Sequence, residues 1–472
     1  MDELLHPGFP FRHPRLTEDP EVRASYAADA SGLSRVPDAV ARPETEEEVA
    51  DLVRRCAAAG VALTPQGLRS STTGSSVAAE GLALSLERME RVLEIDPQRR
   101  VAIAEPGIVL GELKQAVDRA GLFYPPDPTS EGECALGGTV ATNASGSRTY
   151  RYGPTRAYVR ALRVVLADGS ATEIRRVQAN KNAAGYFGFQ DPIDLWIGSE
   201  GTLGVITRIE LDLLDRPPGF YGVFAFFPGW EEAIDFVLRS DLERRTGRVL
   251  PRCLELFDGS ALAIAEPEAS GLKVPAGAGA AVFFEEEGRP EDAADSAERW
   301  LSLIEGSRGL ADATLLAQTD AEKAELRRMR HAIPAGMNER GARAVRSGGR
   351  KVSTDFAVSL ESLPVLMRDS YAIARETFGG LVVAYGHVGN GHPHFNLLAE
   401  DAEQLARAEE AAHRMARRAL ELGGTLSAEH GIGKLKRVLF RELTPGWAYE
   451  GMRALKAVLD PKGIFSPGNL FD

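Results

Sequence analysis

"PPDPTSEGECALGGTVATNASGSRTYRYG", Pro125 to Gly153, intersperses glycines 132, 137, 138, 146 and 153 with serines and threonines. Glycine lets main-chain N–H groups approach a bound anion closely, and hydroxyls add further donors. Two other segments read the same way: "TPQGLRSSTTGSS" from Thr64 and "GSEGTLGVIT" from Gly198. Any one of them alone reads as a tight turn. Three together, each rich in hydroxyls and next to a strand pattern, point to a phosphate-bearing ligand. No G-x-G-x-x-G follows a strand and no G-x-x-x-x-G-K-[ST] occurs, which excludes a Rossmann fingerprint and a P-loop.

Downstream, "ALRVVLADGSATEI" predicts two strands around an Asp168-Gly169 turn. In "GVITRIELDLL", Val205, Thr207, Ile209, Leu211 and Leu213 alternate with other residues, as in a strand. Upstream, Thr45 with Glu48 forms a capping box. Val49, Leu52, Val53 and Cys56 recur at helical spacing, and Gly60 is a stop. Val61 to Thr64 is a short buried-strand run, and Val109 to Ala120 is a helix stopped by Gly121. The break "RPPG", Arg216 to Gly219, ends this mixed region. Beyond it lie long charged helices such as Asp401 to Leu422, ended by Gly423 and Gly424. "PAGAGAA", Pro275 to Ala281, reads as a loop or strand entry.

A chain of 472 residues exceeds one ordinary core, so two or more domains are expected. Its 68 acidic against 55 basic residues exclude non-specific nucleic-acid binding, which needs a basic surplus. A few positive groups can still set a local field for a small anion. "MDELLHPGFPFRHP" has neither basic n-region nor apolar h-region, and no apolar run is long enough to span a bilayer. Cys56, Cys134 and Cys253 are few and far apart, which fits a reducing compartment. The expectation is a cytoplasmic chain without a transmembrane segment.

"PDPTS", "GGTVATNASG", "RYGPTRAYVRALRVVLADG" and "IGSEGTLGVIT" resemble the FAD domain of the vanillyl-alcohol-oxidase/PCMH flavoproteins. Within these they are similar to the branch of D-lactate dehydrogenase, the glycolate oxidase flavin subunit and D-2-hydroxyglutarate dehydrogenase. The resemblance implies an α+β chain: an N-terminal segment 1–35, a PCMH-type FAD-binding domain 36–216, and an FAD-linked oxidase C-terminal domain 217–472. The last would be an α+β substrate and metal domain with an antiparallel sheet and a C-terminal helical segment. It implies non-covalent FAD, because the first loop lacks the histidine that some relatives use for attachment. Gln66, Gly67, Leu68, Arg69, Ser70 and Ser71 would sit on the pyrophosphate, joined by Asp127, Pro128, Thr129, Ser130, Gly137 and Gly138. Thr142, Asn143, Ser145 and Gly146 belong to the same group, with Glu200, Gly201 and Ile206 near the other end of the cofactor. The family's first loop reads P-R-G-G-G-T, whereas this one is Pro65-Gln66-Gly67-Leu68-Arg69-Ser70, so two glycines are replaced.

"YGHVGNGHPHFN", Tyr385 to Asn396, holds three of the chain's 8 histidines. On one straight strand His387 and His394 would face opposite sides. The Gly389-Asn390-Gly391 turn signal predicts a reversal that brings the imidazoles together. "GGTLSAEHGIGKLKR" adds Glu429 and His430 in another glycine-flanked loop. Two histidines and a carboxylate with an open fourth position are the ligand set of a catalytic zinc site. Spacing alone leaves that reading open beside a surface turn with scattered histidines. "GHVGNGHPHFN" resembles the family motif G-H-x-G-D-G-N-x-H-x-N, and "AEHGIG" resembles its partner. The resemblance implies His387, His394 and Glu429 as ligands of a divalent metal, His430 as catalytic base, and Asn396 on the substrate side. Zinc is the first expectation, and the same donors suit Mn, Fe or Co. Asn390 stands where the family has Asp; His392, where it has Asn, reads as an extra polar group in the site or as part of the turn, with the turn preferred.

Arg330, in "LRRMRHAI", falls on the family's carboxylate-binding arginine, although Arg327, Arg328 and Arg330 also read as one solvated helix face. His331 replaces the usual Glu beside it, and Thr354 stands where some members carry Lys. The function implied is FAD-dependent, metal-assisted oxidation of a D-2-hydroxy acid to the 2-oxo acid. Rival readings are a flavin transferase resembling alkyl-dihydroxyacetone-phosphate synthase and a non-catalytic flavin subunit of an oxidase complex. The partners expected are the small acid and an electron acceptor: an electron-transfer flavoprotein, a quinone or a partner subunit. A homodimer is the candidate assembly, and no nucleic acid is expected.

Overall fold

The computed structural model of the chain describes residues 8–179, 181–268, 273–288 and 293–472, without the side chains at 187, 266–268 and 293. They form two compact units. The first contains the described residues up to Ser145, Pro154–Arg216 and Glu429–Asp472; the second contains Gly146–Gly153 and Pro217–Ala428.

In the first unit, strands Ala39–Ala41 and Leu63–Gln66 flank Leu82–Ser85 in parallel. The helix Glu46–Ala59 covers them with Val49, Leu52, Val53 and Cys56, against Leu63, Leu82, Leu84 and Phe465. Its N-terminus differs from the expected capping box. Thr45 Oγ1 accepts from Glu48 N at 3.3 Å, but the Glu48 carboxylate reaches back to Glu44 N at 2.7 Å. Arg15 holds Glu48 from the other side at 2.8 Å, and this ion pair draws the carboxylate one residue further back. Gly60 closes the helix in the left-handed conformation, φ 67°.

An antiparallel sheet in the order Val92–Asp96, Val101–Ala104, Val205–Asp212, Val159–Val165, Ala171–Arg175 completes the first unit. The Asp168-Gly169 turn joins its last two strands: Asp168 Oδ1 accepts from Ser170 N at 2.8 Å.

The second unit is built on an antiparallel sheet that is seven-stranded among the described residues. Its order is Leu315–Ala317, Phe220–Phe227, Ala280–Glu287, Pro251–Asp258, Leu381–His387, His392–Asp401, Gly348–Ser353. Phe224, Phe226, Phe257 and Phe283 on one face pack with Met329, Ile333 and Met337 of the long helix Asp320–Ala344. This helix does carry a full capping box, Thr319 with Glu322. The charged helix Ala402–Glu421 starts on Asp401, whose side chain accepts from Gln404 N. The mixed helices and antiparallel sheets agree with the α+β expectation. Cys56, Cys134 and Cys253 are buried thiols. No helix among the described residues is long and apolar enough to cross a membrane.

Candidate functional site

In the first unit the three glycine segments, far apart in sequence, converge. Gly198 N and Glu200 N donate to Val140 O and Ala141 O at 3.0 and 2.9 Å, tying the third segment to the helix Leu136–Ala141 that holds Gly137 and Gly138. A Cβ on Gly67 would fall 2.9 Å from Ala135 Cβ, so the first segment lies against the second. Asn469 Nδ2 bridges Ser75 O and Glu200 O at 2.8 and 3.0 Å, joining the first to the third.

The residues expected around FAD fit a cofactor cradle. Arg69, Asn143 and Glu200 adopt φ of 60°, 50° and 51°, the left-handed region that side chains enter at a cost of about 1–3 kcal/mol and mostly at functional sites. Arg69 thus takes a glycine-like conformation at one of the two altered positions of the first loop. Its guanidinium lies over the Tyr26 ring, 4.4 Å from the centroid, which helps to hold it there. Thr64 Oγ1 and Gln66 Oε1 are buried without a hydrogen-bond partner among the described residues, which suits a loop completed by a ligand. A Cβ on Gly138 would meet nothing within 4 Å. Asp127 precedes a turn through Pro128, Thr129 and Ser130, in which Glu131 N donates to Pro128 O at 2.9 Å. Thr142 Oγ1 donates to Gly138 O, and Ile206 is buried in its strand. Gly146 opens the short segment assigned to the second unit.

Glu200 also positions the loop after His430. Its Oε1 and Oε2 accept from Ile432 N and Gly433 N at 2.6 and 2.7 Å. Burial pushes the Glu200 carboxyl up to about 7, against the pull of those two N–H donors. Thr73 Oγ1 donates to His430 O at 3.2 Å, and Ser145 Oγ to Glu429 Oε1 at 3.2 Å. "AEHGIG" is therefore held through its main chain and through Glu429 by residues of the glycine segments.

In the second unit the predicted reversal is present. Leu381–His387 and His392–Asp401 pair antiparallel, with His387 opposite His392 and Tyr385 opposite His394. Directly paired residues share a face, and so do residues two apart, so all three imidazoles project from one side of the hairpin. The ring centroids lie 5.7 Å apart for His387 and His394, 5.6 Å for His387 and His392, and 4.2 Å for His392 and His394. The register with Pro251–Asp258 brings Glu255 beside His387, whose Nδ1 donates to Glu255 Oε1 at 2.6 Å. His394 Nδ1 donates to Thr354 O at 2.9 Å. These bonds place both lone pairs on Nε2, the arrangement of metal-ligating histidines. Asn396 is 1% exposed, and its Oδ1 has no partner among the described residues. The structure corrects His392: it is 2% exposed and faces the cluster, because the turn ends one residue earlier, at Gly391.

The three neighbouring arginines divide. Arg328 is exposed and pairs with Glu325, while the Arg330 side chain is 18% exposed and turns toward Glu255, Nη2 to Oε2 3.5 Å. Arg330 lines a pocket with Arg148, Lys323, Arg327, Phe220 and Glu285. Burial would raise the Glu285 carboxyl, but Arg148 at 3.0 Å and Arg252 at 3.6 Å outweigh it and hold it at about 2. Thr354 is committed to the sheet, its Oγ1 accepting from Phe395 N at 2.9 Å. Arg343 and Arg350 pair with Glu339 and Glu409.

Sequence reasoning missed Glu255 and Asp355. Both reach the histidines through strand pairing between distant segments, which leaves no local spacing to read. Glu200 was expected near the cofactor, but its hold on Ile432 and Gly433 was not.

Residues 37–175 match the FAD binding domain family, and residues 221–470 match the family of FAD linked oxidases, C-terminal domain. The glycolate oxidase subunit GlcD of Bacillus subtilis (strain 168) is 30% identical over 455 residues, 95% of this chain and 92% of that protein. A D-2-hydroxyglutarate dehydrogenase of Xanthomonas citri pv. viticola is 31% identical over 466 residues, 97% of this chain and 94% of that one. The solved structure of p-cresol methylhydroxylase shares the fold, with TM-score 0.73 at 13% identity over 97% of this chain and 94% of its own. A flavin-binding half and an oxidase half, matched in that order and along nearly the whole length, show that the chain belongs to the FAD-linked oxidase family, with a PCMH-type FAD-binding fold.

Proposed function

We propose that this chain is a dehydrogenase of D-2-hydroxy acids, oxidising an acid of the lactate, glycolate or 2-hydroxyglutarate class to the 2-oxo acid. The observation that carries this reading is the pair of oriented histidines. His387 and His394 give their Nδ1 protons to Glu255 Oε1 and Thr354 O, which leaves Nε2 of each as donor to a divalent metal. Glu429, from the motif "AEHGIG", supplies the anionic third ligand of a two-histidine, one-carboxylate set. Both relatives named above are called after 2-hydroxy acids, which supports the substrate class.

Bound FAD would supply the electron chemistry as the acceptor of a hydride, the substrate's C–H hydrogen with its electron pair. A bound divalent metal supplies Lewis acidity toward the substrate oxygens. The chain's own residues do the rest. His430 accepts the hydroxyl proton, since imidazole titrates near neutral pH. Arg330 binds the carboxylate with its planar fork and fixes the acid's orientation. Lys323 and Arg327, around the same pocket, add a positive field beyond the Arg148–Glu285 pair, and this concentrates an anionic acid. Asn396 offers its buried Oδ1 to the substrate side. The electrons leave through a separate acceptor, and cytoplasmic location belongs to this proposal.

The test is anaerobic bleaching of the flavin against a panel of D- and L-2-hydroxy acids. A stable reduced flavin with a D-acid is expected. A flavin left oxidised by every acid of the panel sinks the reading and favours a transferase.

A further inference from the structure

Asp355 and His392 fall outside the expected ligand set, yet they share its histidine face. His392 is 2% exposed and Asp355 3%. His392 Nε2 lies 3.4 Å from Asp355 Oδ1. One ligand atom from each of Asp355, His392 and His394 lies within 4.8 Å of the others, and all three residues belong to the second unit. We propose that Asp355, His392 and His394 form a second seat for a divalent cation of the zinc and cobalt class, sharing His394 with the His387, His394, Glu429 set. This rests on the metal reading above and extends it, since the second seat needs nothing from Glu429.

Three features carry the assignment. First, the donors are oriented before any ion arrives. Ser427 Oγ donates to Asp355 Oδ2 at 2.6 Å, so that oxygen is fixed while Oδ1 faces His392. Ala428 N donates to Asp355 O at 2.7 Å and pins its main chain as well. His394 Nδ1 is committed to Thr354 O, the residue just before Asp355. Second, a divalent ion is a fitting counter-charge for a buried carboxylate beside two imidazoles, because it needs neither ring to be protonated. Third, the set is chemically that of a two-histidine, one-carboxylate site. One imidazole Nε2 binds one ion at a time. The chain therefore holds a single ion with two alternative positions, and His394 is common to both.

The rival account is that His392 and Asp355 are only a buried hydrogen-bonded pair beside the first seat. The experiment is Co(II) titration of the full-length, metal-free flavoprotein, read by the d–d absorption of the bound ion, its stoichiometry and its affinity against a chelator. None of these readouts needs turnover. The variants are His392→Asn, Asp355→Asn, Glu429→Gln and the double His392→Asn/Glu429→Gln; flavin absorbance and Tm report folding. We expect Glu429→Gln to keep one Co(II) with an altered d–d band, and the double variant to lose it. In the Glu429→Gln background the added change should weaken binding by more than about 100-fold, beyond the range of a residue that only supports a ligand. Asp355→Asn gives an independent reading should His392→Asn not fold. If His392→Asn and Asp355→Asn both match wild type in affinity and band, and Glu429→Gln abolishes binding, the second seat is overturned while the proposed function stands. If the wild type takes up no Co(II) at all, both fall together.

Discussion

Glu255 Oε1 lies 2.6 Å from His387 Nδ1, and the other oxygen of the same carboxylate lies 3.5 Å from Arg330 Nη2. One buried acid therefore orients a proposed metal ligand and the proposed substrate arginine. Glu255→Gln keeps an acceptor for only one of them and turns an amide N–H toward the other. The expected result is metal affinity lowered about 10–100-fold, the range for a residue behind a ligand, together with a raised KM. Chelator competition and anaerobic reduction titrations measure the two effects. Wild-type values in both would detach Glu255 from the site.

Arg330→Lys replaces a planar fork by a point charge. It should raise KM and lower kcat/KM about tenfold or more, the loss of one charge-assisted hydrogen bond worth about 1.5–3 kcal/mol. Arg328→Ala, at the exposed partner of Glu325, is the control and should leave the kinetics unchanged. Identical behaviour of the two variants would return Arg330 to the solvated face.

Asp258 accepts from Tyr371 OH at 2.8 Å, Ala384 N at 2.9 Å and Ala261 N at 2.8 Å. Burial nevertheless pushes its carboxyl from 3.8 up to about 6. A folded pKa above the unfolded one means that the folded state holds the proton more tightly. Its contribution to stability is complete below pH 3.8 and is lost as the pH rises through about 6. Asp258→Asn cannot titrate, so the Tm of wild type minus that of the variant should shrink across this window. Calorimetry at several pH values checks it; a constant difference would mean that the carboxyl titrates normally.

These residues also show how far the chain could be read before its structure. The hairpin was legible because Gly389-Asn390-Gly391 sits between two apolar runs, and a turn fixes register locally. The glycine segments were legible as a group because hydroxyls and glycines recur in each. Arg69 was only half legible: the loss of glycine was visible, but the stacking on Tyr26 that accompanies its left-handed conformation comes from a helix boundary more than forty residues upstream. Glu255 and Asp355 were not legible at all. Glu255 sits one position from the cross-strand pair Leu256 and Gly386, and a one-residue slip would turn it to the opposite face. Asp355 follows Ser353, whose partner Asn396 is likewise set by register between distant strands. The capping box at Thr45 failed for the same kind of reason, since Arg15 competes for Glu48 from outside the helix.

Glu429 and His430 are neighbours with different proposed tasks, and their variants should separate. The loop is anchored through His430 O on Thr73 and through Ile432 N and Gly433 N on Glu200, all main-chain atoms of the loop. Replacing the imidazole leaves those anchors in place. His430→Asn should therefore keep FAD and metal yet slow flavin reduction roughly 10²–10⁴-fold, the range for a positioned acid–base group. Raising the pH should restore part of this rate, because solvent then removes the hydroxyl proton. Glu429→Gln swaps an anionic oxygen donor for a neutral amide, so it should weaken and alter metal binding and slow reduction with no rescue at high pH. Anaerobic stopped-flow reduction across pH, with metal analysis of each variant, distinguishes the two. Metal lost from His430→Asn and untouched in Glu429→Gln would exchange the roles. Full activity and full metal in both would remove acid–base and metal assistance from these two residues.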